Sequence, residues 1–519
     1  MPSSEGEAPG RETLRGDAAM AIVEREIMRH GDGVIAHLAP FEAAGAIATW
    51  HAAIRSAEEF INIPQFAVPD AVEHQLLSLP LGDALAADPG PAIAARDLLE
   101  PLLGEAVARR FMLSMIQLTI ASVGLRESGR SLAGGFVLDS VAAGIDFLQS
   151  RRRHMVSLLY AMPKACTGTQ TLTPELAWRV MLPLLEYCCD AVTGWSWKKI
   201  QLLCLPDFAL ELDGVGAMAS QAFNPLGAMF LEPERVSIMD MIDHRGEQIG
   251  AAWREPQDPR LVFSAAELRN NVRLLEAVFA QFGVGDAAYG VIKRLLILCS
   301  RHCRDDYYVE LPRTLFDAAI ACQDAIPARD LEALLISPSG SYADCSNDYA
   351  PFIALEDRLI SNVVLFSRFA NMFKNLHLGS RRSFLSNAGF IFEDMVKRDL
   401  AKAGFTVTDI KRINRKEFDV VTTLGPVIHN FQCKNNWIDL AKVERDPVLY
   451  ARYNRRLVRY YKRALGKERR REGLLTETLA RDKIRHHVVS RFAVITDDPG
   501  IINYNQLGMR AQVIIAEAG

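Results

Sequence analysis

Glu417, Asp419, Gln432 and Lys434 are the side chains whose types and spacing best support a reaction. They lie on two apolar runs, residues 416–423 and 427–434, separated by Leu424-Gly425-Pro426. Both runs read as strands. If they fold back about Gly425-Pro426, Asp419 faces Gln432 and Glu417 faces Lys434. Strand side chains alternate, so all four then project from one face of the sheet. A slip of one residue would undo this, and Pro426 leaves the turn type open. Two acids, an amide and a lysine in such proximity suit phosphodiester hydrolysis. A hard divalent cation takes oxygen ligands, which the Asp419 carboxylate, the Gln432 amide and the Cys433 backbone carbonyl can supply. Such a cation polarises the scissile phosphate and acidifies bound water. Lys434 can orient that water or stabilise the growing negative charge. The plainer alternative is a solvated sheet face with charges on alternate positions.

The elements around these strands place a fifth residue. Residues 384–403 have helical spacing, with Leu385, Ala388, Phe392, Met395, Leu400 and Ala403 broadly on one side and Gly404 fitting the C-terminal cap. Glu393 lies in this helix and can approach the strands as an outer metal ligand or as part of a second metal site. Residues 405–408 then read as a strand. Further on, 491–496 read as a strand, 504–509 as a short helix and 511–515 as a last strand. An αβββαβ order with a mixed sheet is expected.

Gly389-Phe390-Ile391-Phe392-Glu393, Glu417-Phe418-Asp419-Val420-Val421 and Phe431-Gln432-Cys433-Lys434 resemble the helical Glu, Asp and (E/Q)xK series of PD-(D/E)XK, restriction-endonuclease-like nucleases. The Gln-x-Lys form is similar to the variant in Mrr-type restriction endonucleases. The resemblance covers residues 378–519. It implies Mg²⁺ or Mn²⁺ held by Asp419 and Gln432, a catalytic Lys434, a supporting Glu393 and a DNA substrate, with RNA as the second candidate. Glu417 is a possible support. Gln432 replaces the commoner acid, which makes the site less negative and weakens metal binding.

Between the strands lies a basic arm, read as a helical insertion over 440–487. Asp446-Pro447 reads as a helix start, with Asp at the cap and Pro at the first position. Leu449, Tyr453, Leu457, Tyr460 and Ala464 form the expected inward stripe. Arg452, Arg455, Arg456, Arg459, Lys462 and Arg463 occupy the rest, a pattern that can neutralise phosphates without reading sequence. A solvated helix, or one docked on an acidic surface, has the same pattern. His486 and His487 adjoin this arm and are expected at the surface.

The rest of the chain differs in texture. Residues 381–519 carry 27 Lys and Arg against 16 Asp and Glu, out of 59 and 63 in the whole chain. That leaves 32 against 47 for residues 1–380, an acidic body joined to a basic unit. Residues 1–16 read as a disordered tail and 17–377 as a helical regulatory or interaction region, able to bind a protein partner or a second copy. Its clearest helix starts at Phe263-Ser264-Ala265-Ala266-Glu267-Leu268, a capping box with a hydrophobic staple, and runs to Gly283. Thr173-Pro174 is a second start. Residues 337–349 read as a loop and 353–375 as a helical bridge. Cys299-x-x-His302-Cys303 lacks a fourth zinc ligand at suitable spacing, so packing is the expected role. Nine cysteines without regular spacing argue against a disulfide framework. The most apolar run, 111–125, is shorter than a bilayer span and contains Gln117, and residues 1–16 do not read as a secretion signal. A cytoplasmic protein without membrane attachment is expected. No phosphate-binding loop, HExxH or GxSxG element occurs.

Overall fold

The computed structural model describes residues 12–132, 136–205, 207–212, 217–219, 264–281, 287–321, 327–345, 348–378, 382–436, 446–491 and 494–518. The chain is mostly helical, with a mixed sheet in its C-terminal part. A helical body comes first. Its main helices are α1 (Gly16–Leu38), α2 (Ala43–Phe66), α3 (Gly90–Leu103), α4 (Glu105–Glu127), α5 (Val141–Ala165), α6 (Pro174–Leu184) and α7 (Asp190–Cys204). Local chemistry starts several of them. The Glu42 carboxylate accepts from the Ala44 and Gly45 amides at the head of α2, and Ser140 Oγ accepts from Ala143 at the head of α5. Thr173 sits at the cap of α6 with Pro174 following, as anticipated, but its side chain makes no capping bond.

α4 is long and apolar enough to cross a membrane by length and composition. It nevertheless packs Ala108, Phe111, Met115, Leu118 and Leu125 into the core shared with Trp50, Phe60, Leu158 and Trp178. The anticipated tail is corrected at its end, because β1 (Glu12–Leu14) pairs antiparallel with β2 (Leu210–Leu212), which pairs with β3 (Ala217–Ala219). Residues 1–11 lie outside the described residues.

The middle of the chain is not purely helical. α8 (Ala265–Gln281) and α9 (Ala287–Arg301) pack on a five-stranded sheet of β4 (Cys303–Arg304), β5 (Tyr308–Pro312), β6 (Ile336–Ser337), β7 (Phe352–Leu355) and β8 (Arg358–Asn362). The bridge read as helical from 353 therefore begins as a β-hairpin. Glu356, at φ +54°, turns the chain, and only then does α10 (Val363–Leu378) run. A short apolar run has no period that separates buried strand from buried helix. α8 starts where Ser264 was read as its cap, and Glu267 accepts from Ser367 Oγ of α10 at 3.0 Å. Phe263 of the staple and the end at Phe282-Gly283 lie outside the described residues. Cys299 is fully buried in this core, and the Cys303 thiol donates to the Cys299 carbonyl.

The C-terminal unit opens with α11 (Arg382–Lys402) and β9 (Thr406–Val407). A small hairpin of β10 (Arg412–Ile413) and β11 (Lys416–Glu417) follows, then β12 (Val420–Leu424) and β13 (Val427–Lys434). α12 (Pro447–Arg469) and α13 (Glu472–Leu479) lead to β14 (Lys483–Ser490), β15 (Ile501–Asn503) and α14 (Leu507–Ala518). The sheet order is β15-β14-β13-β12-β9, with β13, β14 and β15 parallel and β12 antiparallel to both neighbours. Phe431 and Val420 face Phe392, Val396 and Leu400 of α11 and Ala511 and Ile514 of α14. Ile428 and Val421 face Leu475 of α13 on the other side.

Two C-terminal expectations are corrected. The strand expected over 491–496 lies earlier, at Lys483–Ser490, so the insertion read as helical to 487 ends in a strand; Phe492 and Ala493 lie outside the described residues. The strand expected over 511–515 is part of α14, whose Ala511 and Ile514, one turn apart, both face the core. The run Ala511 to Ile515 fits both periods, and docking on α11 selects the helical one.

Candidate active site

β12 and β13 pair in the expected register: Val420 opposite Phe431, Val421 opposite Asn430, Leu424 opposite Val427. The ladder stops at Val420, so Asp419 stands just beyond the end of the paired strand. There its Oδ2 accepts from the Cys433 amide at 2.8 Å. The carboxylate takes a backbone donor that a continued strand would have paired. Two positions along β13 on the same face, Lys434 Nζ donates to Gln432 Oε1 at 2.9 Å. Gln432 is 6% exposed. Asp419, Gln432 and Lys434 are therefore gathered at one place, and Glu393 of α11 joins them closely enough for its charge to couple with Asp419 and Lys434.

The electrostatics of this cluster are those of crowded acids. Burial pushes the Glu393 carboxyl up to about 7, and the negative charge of Asp419 adds to the rise. Asp419 is also raised by burial, against the opposing pull of Lys434 and the Cys433 amide. Burial drives the Cys433 thiol well up, so it is a neutral packing group. Among the described residues, no group of three or more His, Cys, Asp or Glu side chains converges as a metal cage. The oxygens present are two carboxylates, one amide and a backbone carbonyl. Two desolvated neighbouring carboxylates match the sparse donor set with which a protein holds Mg²⁺ alongside waters and substrate phosphate.

Glu417 does not belong to the cluster. Asn414 and Arg415, at φ +45° and +63°, form a tight turn that pairs β10 with β11, and Glu417 there meets the Arg412 guanidinium at the surface. Phe418 then plunges into the core beside Val421 and Leu475, splitting the strand expected over 416–423.

Several residues that the sequence left unremarked support the site. Asn430, two positions before Gln432 on the same face, donates to Glu468 Oε2 of α12 at 2.9 Å. Arg471 grips both oxygens of Glu468, and its guanidinium lies 4.4 Å from the Phe418 ring centroid. Glu468 is fully buried, and its charge reaches Asp419. Strand register alone could have flagged Asn430. Glu468 depends on how α12 docks, which no local pattern reveals.

α12 begins as read, with Asp446 Oδ1 accepting from the Val448 and Leu449 amides. Its inward stripe is rotated from the expected one: Ala451, Asn454, Leu457, Tyr461, Leu465 and Glu468 face inward, while Tyr453 and Tyr460 are 36% and 42% exposed. Tyr461 has a specific reason to turn in, since its hydroxyl meets Ser490 Oγ at 2.9 Å and Asn436 Oδ1 at 3.3 Å. Arg452, Arg455, Arg456, Arg459 and Arg463 line an open concavity of about 400 Å³ on the outer side. Lys462 instead lies 3.9 Å from both Asp497 and Asp498. His486 and His487 are not surface groups. His487 stacks on Phe431 and is held down at about 3 by burial, while His486 reaches Asn430 and Glu472.

No protein-family profile, curated protein or solved structure matches the chain.

Among the described residues, the helical body meets this unit through an apolar contact. Trp197, Cys204, Leu205 and Phe208 pack against Ala451 of α12 and Ile495. Asn454 secures the same corner by donating to the Ile495 carbonyl and accepting from its amide, both at 2.8 Å.

Proposed function

We propose that the C-terminal unit is a divalent-metal-dependent nuclease that hydrolyses phosphodiester bonds in DNA, of the PD-(D/E)XK kind. The observation that carries this reading is the meeting of Asp419, Gln432 and Lys434 beside Glu393, with Asp419 and Lys434 each fixed by a hydrogen bond. Asp419, Gln432, Glu393 and the Cys433 carbonyl would hold Mg²⁺ or Mn²⁺. When bound, such a cation supplies Lewis-acid polarisation of the phosphate and acidifies water. Lys434, steadied by Gln432, presents its ammonium to the negative charge that grows on the phosphoryl oxygens. The amide of Cys433 keeps the Asp419 carboxylate aimed into the same space. The basic outer face of α12 brings polyanion to the unit.

In this reading the helical body, which packs on α12 through Trp197 and Leu205, controls or targets the nuclease, by a partner or a second copy. In that form the protein acts in the cytoplasm as a restriction or phage-defence effector. A repair nuclease for branched DNA is the enzymatic rival. A silent nuclease fold that only binds nucleic acid is the second reading, favoured by one observation: an amide, Gln432, stands where a third acid would complete the donor set.

The deciding experiment incubates wild type, Asp419→Ala and Lys434→Ala with linear, circular, branched and single-stranded DNA in Mg²⁺, Mn²⁺ or EDTA. Cleavage by wild type with metal, lost in both variants and in EDTA, is expected. Metal-independent cleavage, or cleavage retained in both variants, would sink the assignment of these residues. Binding without cleavage under every condition supports the silent fold.

A further inference from the structure

α12 carries an arrangement that the cleavage chemistry does not use. Its acid, Glu468, is turned inward and neutralised by Arg471. The outer face carries Arg452, Arg455, Arg456, Arg459 and Arg463, and among the described residues none of these five is in an ion pair. Lys462, on the flank, shows the contrast, since it does have acidic neighbours. Five guanidinium groups around one concavity, with no carboxylate among the described residues lining it, repel one another unless an anion lies among them. Arginine forks match phosphate oxygens bidentately, which singles out phosphate among anions.

The two exposed tyrosines narrow the ligand further. Residues three and four apart share a helix face, so Tyr453, Arg456 and Tyr460 form one line. The Arg456 guanidinium lies 5.9 Å from the Tyr453 ring centroid, a cation beside an aromatic face. Tyr453 and Tyr460 are two turns apart, roughly 10 Å along the axis. Next to this line run Arg452, Arg455, Arg459 and Arg463. A flat, stackable edge beside a row of phosphate-binding cations is the combination that holds unpaired bases and their backbone together. A duplex hides its base faces and has no use for the tyrosines.

We propose that the outer face of α12 is a binding surface for single-stranded nucleic acid, with Tyr453, Arg456 and Tyr460 stacking bases and Arg452, Arg455, Arg459 and Arg463 taking phosphates. The surface faces away from the sheet, because α12 packs on β14 through Leu457 and Leu465. The strand held there is thus not the phosphate in contact with Lys434 but a stretch elsewhere on the same or another molecule. The inference does not depend on cleavage and is tested without it.

The test is fluorescence anisotropy in EDTA, with the full chain, a labelled oligodeoxynucleotide of about 20 nucleotides as single strand, and the same sequence as duplex. Single strand is expected to bind at least about tenfold tighter than duplex. Tyr453→Ala and Tyr460→Ala are each expected to weaken single-strand binding about tenfold, with Tyr→Phe restoring it, while duplex binding stays unchanged. Each of Arg452→Gln, Arg455→Gln and Arg459→Gln should lower the slope of log affinity against log salt by about 0.7 for single strand. Equal or tighter binding of duplex, indifference to the tyrosines, equal competition by polyglutamate, or no binding of either probe would overturn the proposal. Because no metal is present, these outcomes say nothing for or against hydrolysis.

Discussion

The helical body and the C-terminal unit handle charge in opposite ways. Around α1 to α7, the buried charges among the described residues have partners. Arg152 meets Glu58, Arg151 meets Glu186 at 2.8 Å, and Glu59 is shared by Arg55 and Arg110 at 3.0 and 2.8 Å. Each side chain of these pairs is mostly or wholly out of water, and each ion finds its opposite. In the C-terminal unit, two acids crowd together at Asp419 and Glu393, while the lysine between them spends its hydrogen bond on the neutral Gln432. On the outer face of α12, five arginines line one concavity with no acid partner among the described residues. Pairing holds a structure; imbalance leaves an attraction for something outside the chain.

The largest expected effect breaks the imbalance at the site. Asp419→Ala or Lys434→Ala should reduce metal-dependent cleavage by about a hundredfold or more, as loss of one transition-state contact does, read from initial rates on supercoiled DNA. Lys434→Ala should keep the wild-type urea midpoint, since its side chain bonds only Gln432 Oε1, whereas Asp419→Ala strands the Cys433 amide and should cost about 1–3 kcal/mol. Next comes the body. Arg152→Ala strands Glu58 in the interior and should cost about 3–5 kcal/mol in urea unfolding followed by circular dichroism. Arg459→Ala, at the exposed row, should change the same measurement by no more than about 0.5 kcal/mol. Similar losses at the two positions would erase the comparison.

A smaller effect concerns acid. His487 is neutral when folded and is held down at about 3, whereas an unfolded chain protonates it near its ordinary value of 6.5. Between those two values the unfolded state binds the extra proton, so stability falls as pH falls across that window, by up to about 1.4 kcal/mol per pH unit. His487→Phe should reduce the slope of that part of the stability profile, with His429, held at about 4 by burial, still contributing in the same unit and His51, held at about 3, in the helical body. An unchanged profile would mean that His487 is not isolated from water. The smallest effect is at Glu417. Its exposed pairing with Arg412 predicts that Glu417→Ala leaves both cleavage and stability within error.

What the sequence made legible follows the range of the forces involved. The β12–β13 register was readable because alternation and one turn specify it, and it brought Gln432 and Lys434 to one face. The start of α12 was readable because Asp446 and Pro447 act within one turn. Helix rotation was not, since the choice between Tyr460 and Tyr461 as inward residue is made by Ser490 and Asn436, which are distant in sequence. The strand-like run at 511–515 misled because its β-branched residues do favour strands, a weak preference that packing of Ala511 and Ile514 against the core overrides. Glu417 misled because Asn414 and Arg415 adopt left-handed backbone, which glycine would have announced and these residues do not.

The bond from the Cys433 amide to Asp419 has a consequence for how tolerant the centre is of change. A carboxylate hung from main chain has its position set by the pleat of the next strand, not by the shape of nearby side chains. The pleat is therefore a ruler that spaces the acid from the lysine one residue further on. Residue 433 keeps that measure with any side chain small and apolar enough for the core site that the Cys433 thiol fills, provided it keeps an N–H. Proline is the one replacement that removes the mark from the ruler.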